Sequence, residues 1–219
     1  MIAAALDVFL HLDAHLNAWA ATLGPWLYAV LFAVVFCETG LVATPYLPGD
    51  SLLFAVGALA AREGSAISLP LLCVVLGAAA ILGDSANYAA GFWAGPRVFS
   101  REDSRWLNRR HLLGAQEFYD KYGGKTIVLA RFIPVIRTFA PFVAGIGRMN
   151  YSRFIVFNVA GGAAWTLAFL LGGYYFSGLP FVREKFHYVV LAIIAISFLP
   201  ILLEFWKARR KNPKPIPPR

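Results

Sequence analysis

The chain has 219 residues, enough for one domain or at most two. Hydrophobic residues make up 59% of it and charged residues 15%, against roughly 45–50% and about 25% in a soluble domain; mean hydropathy is +0.62. This balance excludes a disordered chain, a fibrous repeat and a disulfide scaffold, and it leaves too much apolar surface to hide from water, so an all-α integral membrane protein is expected.

The net charge is +8, and its distribution says more than its sum. No Lys or Arg precedes Arg62, whereas Lys207, Arg209, Arg210, Lys211, Lys214 and Arg219 follow Glu204 with no acid among them. A basic end beside an apolar span marks the cytoplasmic side of a membrane and makes nucleic acid an unneeded partner. The opening MIAAALDVFLHLDAHLNAW lacks a basic n-region and predicts no secretory signal peptide. Its Leu6, Phe9, Leu10, Leu16 and Trp19 suit one face of an interfacial helix, with Asp7, Asp13 and Asn17 wet.

Next comes Trp26–Ala61, apolar throughout but interrupted by Pro45, Pro48 and Gly49. Ile67–Ala94 reads as an ordinary span of more than about 20 residues; its Gly77, Gly83 and Gly91, with Gly95 just beyond, predict close helix approach. Arg97–Lys125 carries seven Lys/Arg and four Asp/Glu among Trp106, Leu107, Leu112, Leu113, Phe118 and Tyr122, the pattern of an interfacial helix. Thr126–Gly147 is apolar but contains Arg131, Pro134, Arg137 and Pro141. Arg153–Ser177 and Tyr188–Trp206 read as two more spans, and the Pro-rich residues 211–219 as a disordered cytoplasmic tail. Cys37 and Cys73 lie in apolar stretches and have no metal or redox spacing.

A proline removes a helical hydrogen bond and turns the residue before it toward extended geometry. Thr44–Leu47, Ile133 and Ala140 are therefore expected to leave the helix. Broken backbone at membrane depth must lie inside protein or beside a wet cavity. With the basic tail and Arg97–Lys125 both inside, the two flanks of Thr126–Gly147 fall on the same side. This predicts a re-entrant helical hairpin over 126–147, and a second, of opposite orientation, over 26–61. The expected architecture is two inverted-topology hairpins, about three full transmembrane helices and interfacial helices, in one membrane-embedded domain over 1–210.

Three constellations carry chemistry. Glu38 and Asp50 bracket the first break; in a continuous helix they would stand about 18 Å apart, and the break lets the chain bring them together. An acid inside a bilayer is a functional hypothesis by default, and carboxyls held from water or beside one another take up protons more readily. The structural alternative for Asp50 is capping of a helix starting at Ser51. Arg131 and Arg137 would lie about 240° apart on an unbroken helix; a break at Pro134 lets both guanidiniums converge on one anion, and the planar fork suits phosphate. Asp84 and Asn87 share a helix face in Gly83-Asp-Ser-Ala-Asn-Tyr88. Asp84 is placed either to hold an arginine of the second hairpin or to pass protons. Acids in one half and arginines in the other suit a coupled anion–proton site and a structural ion-pair lock equally.

The stretches ETGLVATPYLPGDSLLF, GDSANYAAG and RFIPVIRTFAPFVAGIGRM resemble the signature segments of the DedA family of bacterial inner-membrane proteins, part of a superfamily with eukaryotic endomembrane lipid scramblases. The resemblance implies a multi-pass inner-membrane transporter linked to the proton-motive force; no enzyme activity, cofactor or metal is expected, since His11, His15, His111 and His187 lie far in sequence from the arginines. It implies undecaprenyl phosphate or a related lipid phosphate as substrate. Arg131 and Arg137 match its essential arginines and become the phosphate-binding residues. Glu38 and Asp50 match its essential acids and become the proton-coupling residues, with Asp84 and Asn87 in support; a homodimer is left open. Proton-coupled transport of small ions or cationic compounds, uncoupled lipid scrambling and lipid-phosphate hydrolysis are the competing readings.

Overall fold

The computed structural model describes residues 22–41, 49–65, 67–98 and 123–179, together with 188, 189 and 192. All regular elements among them are helices: α1 (Trp26–Gly40), α2 (Gly49–Ala60), α3 (Leu69–Val98), α4 (Lys125–Ala130), α5 (Pro134–Ile146) and α6 (Tyr151–Phe176). The expected interfacial helices, the Tyr188–Trp206 span, the tail, Pro45 and Pro48 lie outside the described residues.

Length separates the helices into two kinds. Leu69–Ala94 of α3 and Tyr151–Phe176 of α6 are long and apolar enough to cross a membrane. At about 1.5 Å per residue, α1 reaches about 22 Å and α2 and α5 less, short of the roughly 30 Å hydrocarbon core.

Local chemistry explains several boundaries. Ile133 is extended and Pro134 opens α5, as a proline demands of its predecessor and allows at a first helical position. The side chain of Asn150 caps α6 by accepting the N–H of Arg153 at 3.3 Å. Two expectations are corrected. Pro141 is not a break: α5 continues through it and Ala140 is helical. One lost hydrogen bond is tolerated there because contacts to α3 hold the helix at Thr138, before the proline, and at Gly145, after it. Gly49 is the first residue of α2 rather than part of the interruption.

Two apolar cores flank a polar layer. The first gathers Leu27, Leu31 and Val35 of α1, Leu53, Val56 and Leu59 of α2, Leu72 and Leu76 of α3, and Leu170 of α6. The second gathers Tyr88 of α3, Ile127 of α4, Ala140 and Ala144 of α5, and Phe154 of α6. Along α3 the first core precedes Asp84 and the second follows it; along α6 the order is reversed, so the two long helices run in opposite senses. The α1–α2 pair leaves the first core and returns to it, and the α4–α5 pair does the same from the second core. Their turning ends meet in the layer between.

Each pair is also exchanged between the long helices: α2 packs on α6, and α5 packs on α3. Both crossings use the same device. A methyl on Gly57 would strike the carbonyl of Leu170, and one on Gly173 the carbonyl of Phe54. Likewise, Gly91 faces the carbonyl of Phe142, and Gly145 that of Tyr88. In all four cases the glycine lies three residues after the residue whose carbonyl meets the opposing glycine. Gly83 brings α3 against Phe36, Thr39 and Gly40 of α1, as its position in the span suggested; Gly77 faces open space and has no such role.

The crossings set a direct test. Gly57→Val and Gly145→Val force a side chain onto a backbone carbonyl, an overpacking that costs about 1–3 kcal/mol. Thermal unfolding in detergent should show both variants melting below the parent, and Gly77→Ala melting with it.

Candidate functional site

Five charged side chains are buried among the described residues: Glu38, Asp50, Asp84, Arg131 and Arg137. Arg62, Glu63, Lys125, Arg148 and Arg153 are exposed. The buried five stand where helices start, stop or cross the polar layer. Glu38 is near the end of α1, Asp50 in the first turn of α2, Asp84 within α3, Arg131 directly after α4, and Arg137 early in α5.

The two halves of the chain pair across this layer. Nη1 of Arg137 donates to Oδ1 of Asp50 at 2.6 Å, and its Nη2 donates to Oε1 of Glu38. Nη2 of Arg131 donates to Oδ2 of Asp84 and, at 2.5 Å, to Oδ1 of Asn158 on α6. The two guanidiniums therefore do not share one carboxylate: each holds its own acids, and both border one crevice with Thr39, Asp84 and Trp165. The crevice as it stands has no room for a water molecule.

Several donors within this cluster are left over. Nε and Nη1 of Arg131 and Nε of Arg137 are buried without a hydrogen-bond partner among the described residues, as is Oε2 of Glu38. Buried polar atoms are ordinarily satisfied, which makes these four atoms exceptions among the described residues.

Neighbouring residues fix the geometry. Oε1 of Glu38 accepts the N–H of Gly49 at 3.1 Å, so α1 caps α2. Asp50 lies inside that helix rather than capping it from before Ser51. A methyl on Gly49 would fall on the Glu38 carboxylate, which gives this glycine a reason independent of backbone conformation. Asn87 donates through Nδ2 to the carbonyl of Thr39 at 3.1 Å and to that of Thr138 at 2.7 Å, tying the turning ends of both helix pairs to α3.

Sequence reasoning missed four contributors, Trp165, Asn158, Gly161 and Gly162. Nε1 of Trp165 donates to Oδ1 of Asp50 at 2.9 Å, and the Arg137 guanidinium lies 5.2 Å from the centre of its ring. Asn158 holds Arg131 while donating to the carbonyl of Ile81 at 2.9 Å. Gly161 and Gly162 leave the space on α6 that Arg131 fills. The available signal was an Asn inside an apolar span, seven residues before Trp165 on the same face and just ahead of a Gly-Gly pair.

Removing one partner from a buried ion pair strands the other charge at a cost of about 3–5 kcal/mol. Arg131→Met should accordingly lower the unfolding temperature strongly, and Arg131→Met/Asp84→Leu should recover most of the loss. Equal unfolding of the single and double variants would mean that the pair does not hold the fold.

Comparison with known proteins follows the same residues. The VTT domain matches residues 47–175, a stretch that contains Asp50, Asp84, Arg131 and Arg137. The chain is 46% identical over 205 residues to "Protein DedA" of Escherichia coli (strain K12), covering 94% of each chain. It is 39% identical to the "Uncharacterized membrane protein Rv0364" of Mycobacterium tuberculosis (strain ATCC 25618 / H37Rv), over 91% of this chain and 90% of that one. It is 34% identical to the "Inner membrane protein YqjA" of Escherichia coli (strain K12), over 81% and 78%. No solved structure matches. With a domain match over more than half its length and relatives of this similarity across nearly all of it, the chain belongs to the DedA family of VTT-domain membrane proteins.

Proposed function

We propose that this protein carries a lipid phosphate across the bacterial inner membrane in step with protons, the substrate being undecaprenyl phosphate or a related polyprenyl phosphate. The observation that carries this reading is the pair of buried guanidiniums on one crevice with Nε of both, and Nη1 of Arg131, lacking partners among the described residues. A phosphomonoester presents three acceptor oxygens, and arginine supplies matching donors in a rigid fork. Glu38 and Asp50 are the proton carriers. Asp84 orients Arg131, and Asn87 holds the two turning ends in register.

In this reading α1–α2 and α4–α5 are re-entrant hairpins of opposite orientation within one domain over 1–210. Their lengths and opposed directions support it. α3 and α6 cross the bilayer, and Tyr188–Trp206 crosses a third time to leave the basic tail in the cytoplasm. The phosphate passes between the turning ends while the isoprenoid stays in lipid. The closed crevice is then an occluded form that opens when the two hairpins part.

One observation favours a second reading. Three carboxylates face two guanidiniums, an excess of negative charge that suits a small cation or a cationic compound.

Liposomes containing undecaprenyl phosphate separate the two. The purified protein should speed the appearance of that phosphate on the far leaflet, more so with a pH gradient. Arg131→Ala/Arg137→Ala should abolish the acceleration, and Gly49→Ala should reduce it by displacing Glu38. Proton flux driven by a solute in liposomes without polyprenyl phosphate would support the second reading, and flipping at the parent rate by the double-arginine variant would defeat the first.

A further inference from the structure

We infer that Arg137 exchanges its two carboxylate partners for the substrate phosphate, and that two protons enter the site with each phosphate dianion. This rests on the lipid-phosphate reading of the same site. The starting point is the charge of the closed cluster. Glu38, Asp50 and Asp84 against Arg131 and Arg137 leave one net negative charge, and the other described Lys, Arg, Asp and Glu side chains are exposed. A phosphate dianion added to this cluster would bring three buried negative charges in excess, which desolvation forbids.

Geometry selects the arginine that changes partners. Asp84 and Asn158, which hold Arg131, come from α3 and α6, the two long helices, and Asn158 is itself fastened to the carbonyl of Ile81. Glu38 and Asp50, which hold Arg137, both come from the opposing hairpin. Parting of the hairpins with α4–α5 kept on α3 and α6 breaks both ion pairs of Arg137 and leaves that of Arg131 intact. Two carboxylates are then stranded at once. Among the described residues, the ionisable groups around them are Arg137 on α5 and, across the crevice, Asp84 on α3 and Arg131 after α4. α6 contributes Trp165 and Asn158, which do not titrate.

The exchange balances. One O–H bond forms on Glu38, where Oε2 has no partner among the described residues and Oε1 keeps the Gly49 N–H. A second O–H bond forms on the Asp50 carboxyl. The guanidinium N–H groups pass to two phosphate oxygens. The loaded site holds the Asp84 carboxylate, two guanidiniums and one dianion, and so carries the same single negative charge as the closed one. Glu38 and Asp50 thus occupy Arg137 in place of the substrate until protons release them.

Calorimetric titration tests this on the full-length protein in detergent at pH 8, with farnesyl phosphate as probe and buffers of different ionisation heat. The dependence of apparent heat on buffer heat gives the protons taken up per ligand bound. The expected uptake is about two for the parent and about one for Glu38→Gln or Asp50→Asn. The parent value decides by itself, whatever the folding of the variants. Saturable binding with no proton uptake would overturn the exchange and leave the lipid-phosphate reading standing. Absence of saturable binding would overturn both. Inorganic phosphate, titrated in parallel, should bind far more weakly; binding as tight as farnesyl phosphate with the same uptake would keep the exchange and replace the lipid headgroup by free phosphate.

Discussion

The fold turns on one demand: five charges taken out of water must find one another. Arg137 answers most of it, reaching from α5 to Glu38 and Asp50 on the opposing helix pair. Burial of ions is costly enough that the partners must be close, oriented and further hydrogen-bonded. The surroundings are built accordingly. Gly49 supplies an N–H to Glu38, Trp165 supplies one to Asp50, and the same Trp165 ring lies beside Arg137. Asp84 and Asn158 do the equivalent for Arg131. Some donors of the cluster nonetheless have no partner among the described residues.

Apolar packing provides the frame that brings these charges together. The α2–α6 and α3–α5 crossings are backbone against backbone, with glycines opposite carbonyls in a repeated arrangement. Close crossings between small residues join helices firmly where no hydrophobic effect drives association. Because each short pair is clasped to the long helix of the other half, the polar layer is held from both sides. Asn87 completes it by reaching the carbonyls of Thr39 and Thr138 together.

Much of this was legible in the sequence because charge in an apolar run is conspicuous. Glu38, Asp50, Asp84, Arg131 and Arg137 all stood out, and all lie in the buried layer. Pro134 announced the extended Ile133 through purely local sterics. Pro141 misled, because a proline's local penalty does not include the contacts that hold α5 on either side of it. Which acid meets which arginine was not legible: the pairs are 47, 87 and 99 positions apart, and nothing in their local pattern encodes the partner. Trp165 and Asn158 were read as ordinary members of a span, since an indole or a single amide there becomes informative only when its neighbour across the layer is known.

The exchange of helix pairs between the two halves has a consequence for how the molecule is made. Translation delivers Glu38 and Asp50 well before Arg137, and delivers α2 before the α6 surface it packs on. A nascent chain that ends before α5 holds Glu38 and Asp50 without Arg137, the residue that pairs with both of them in the finished structure. The first half therefore lacks several of its contacts until the second is made. The α1–α2 pair thus meets its ionic partner on α5 and its packing surface on α6 only once the chain has been made through Phe176.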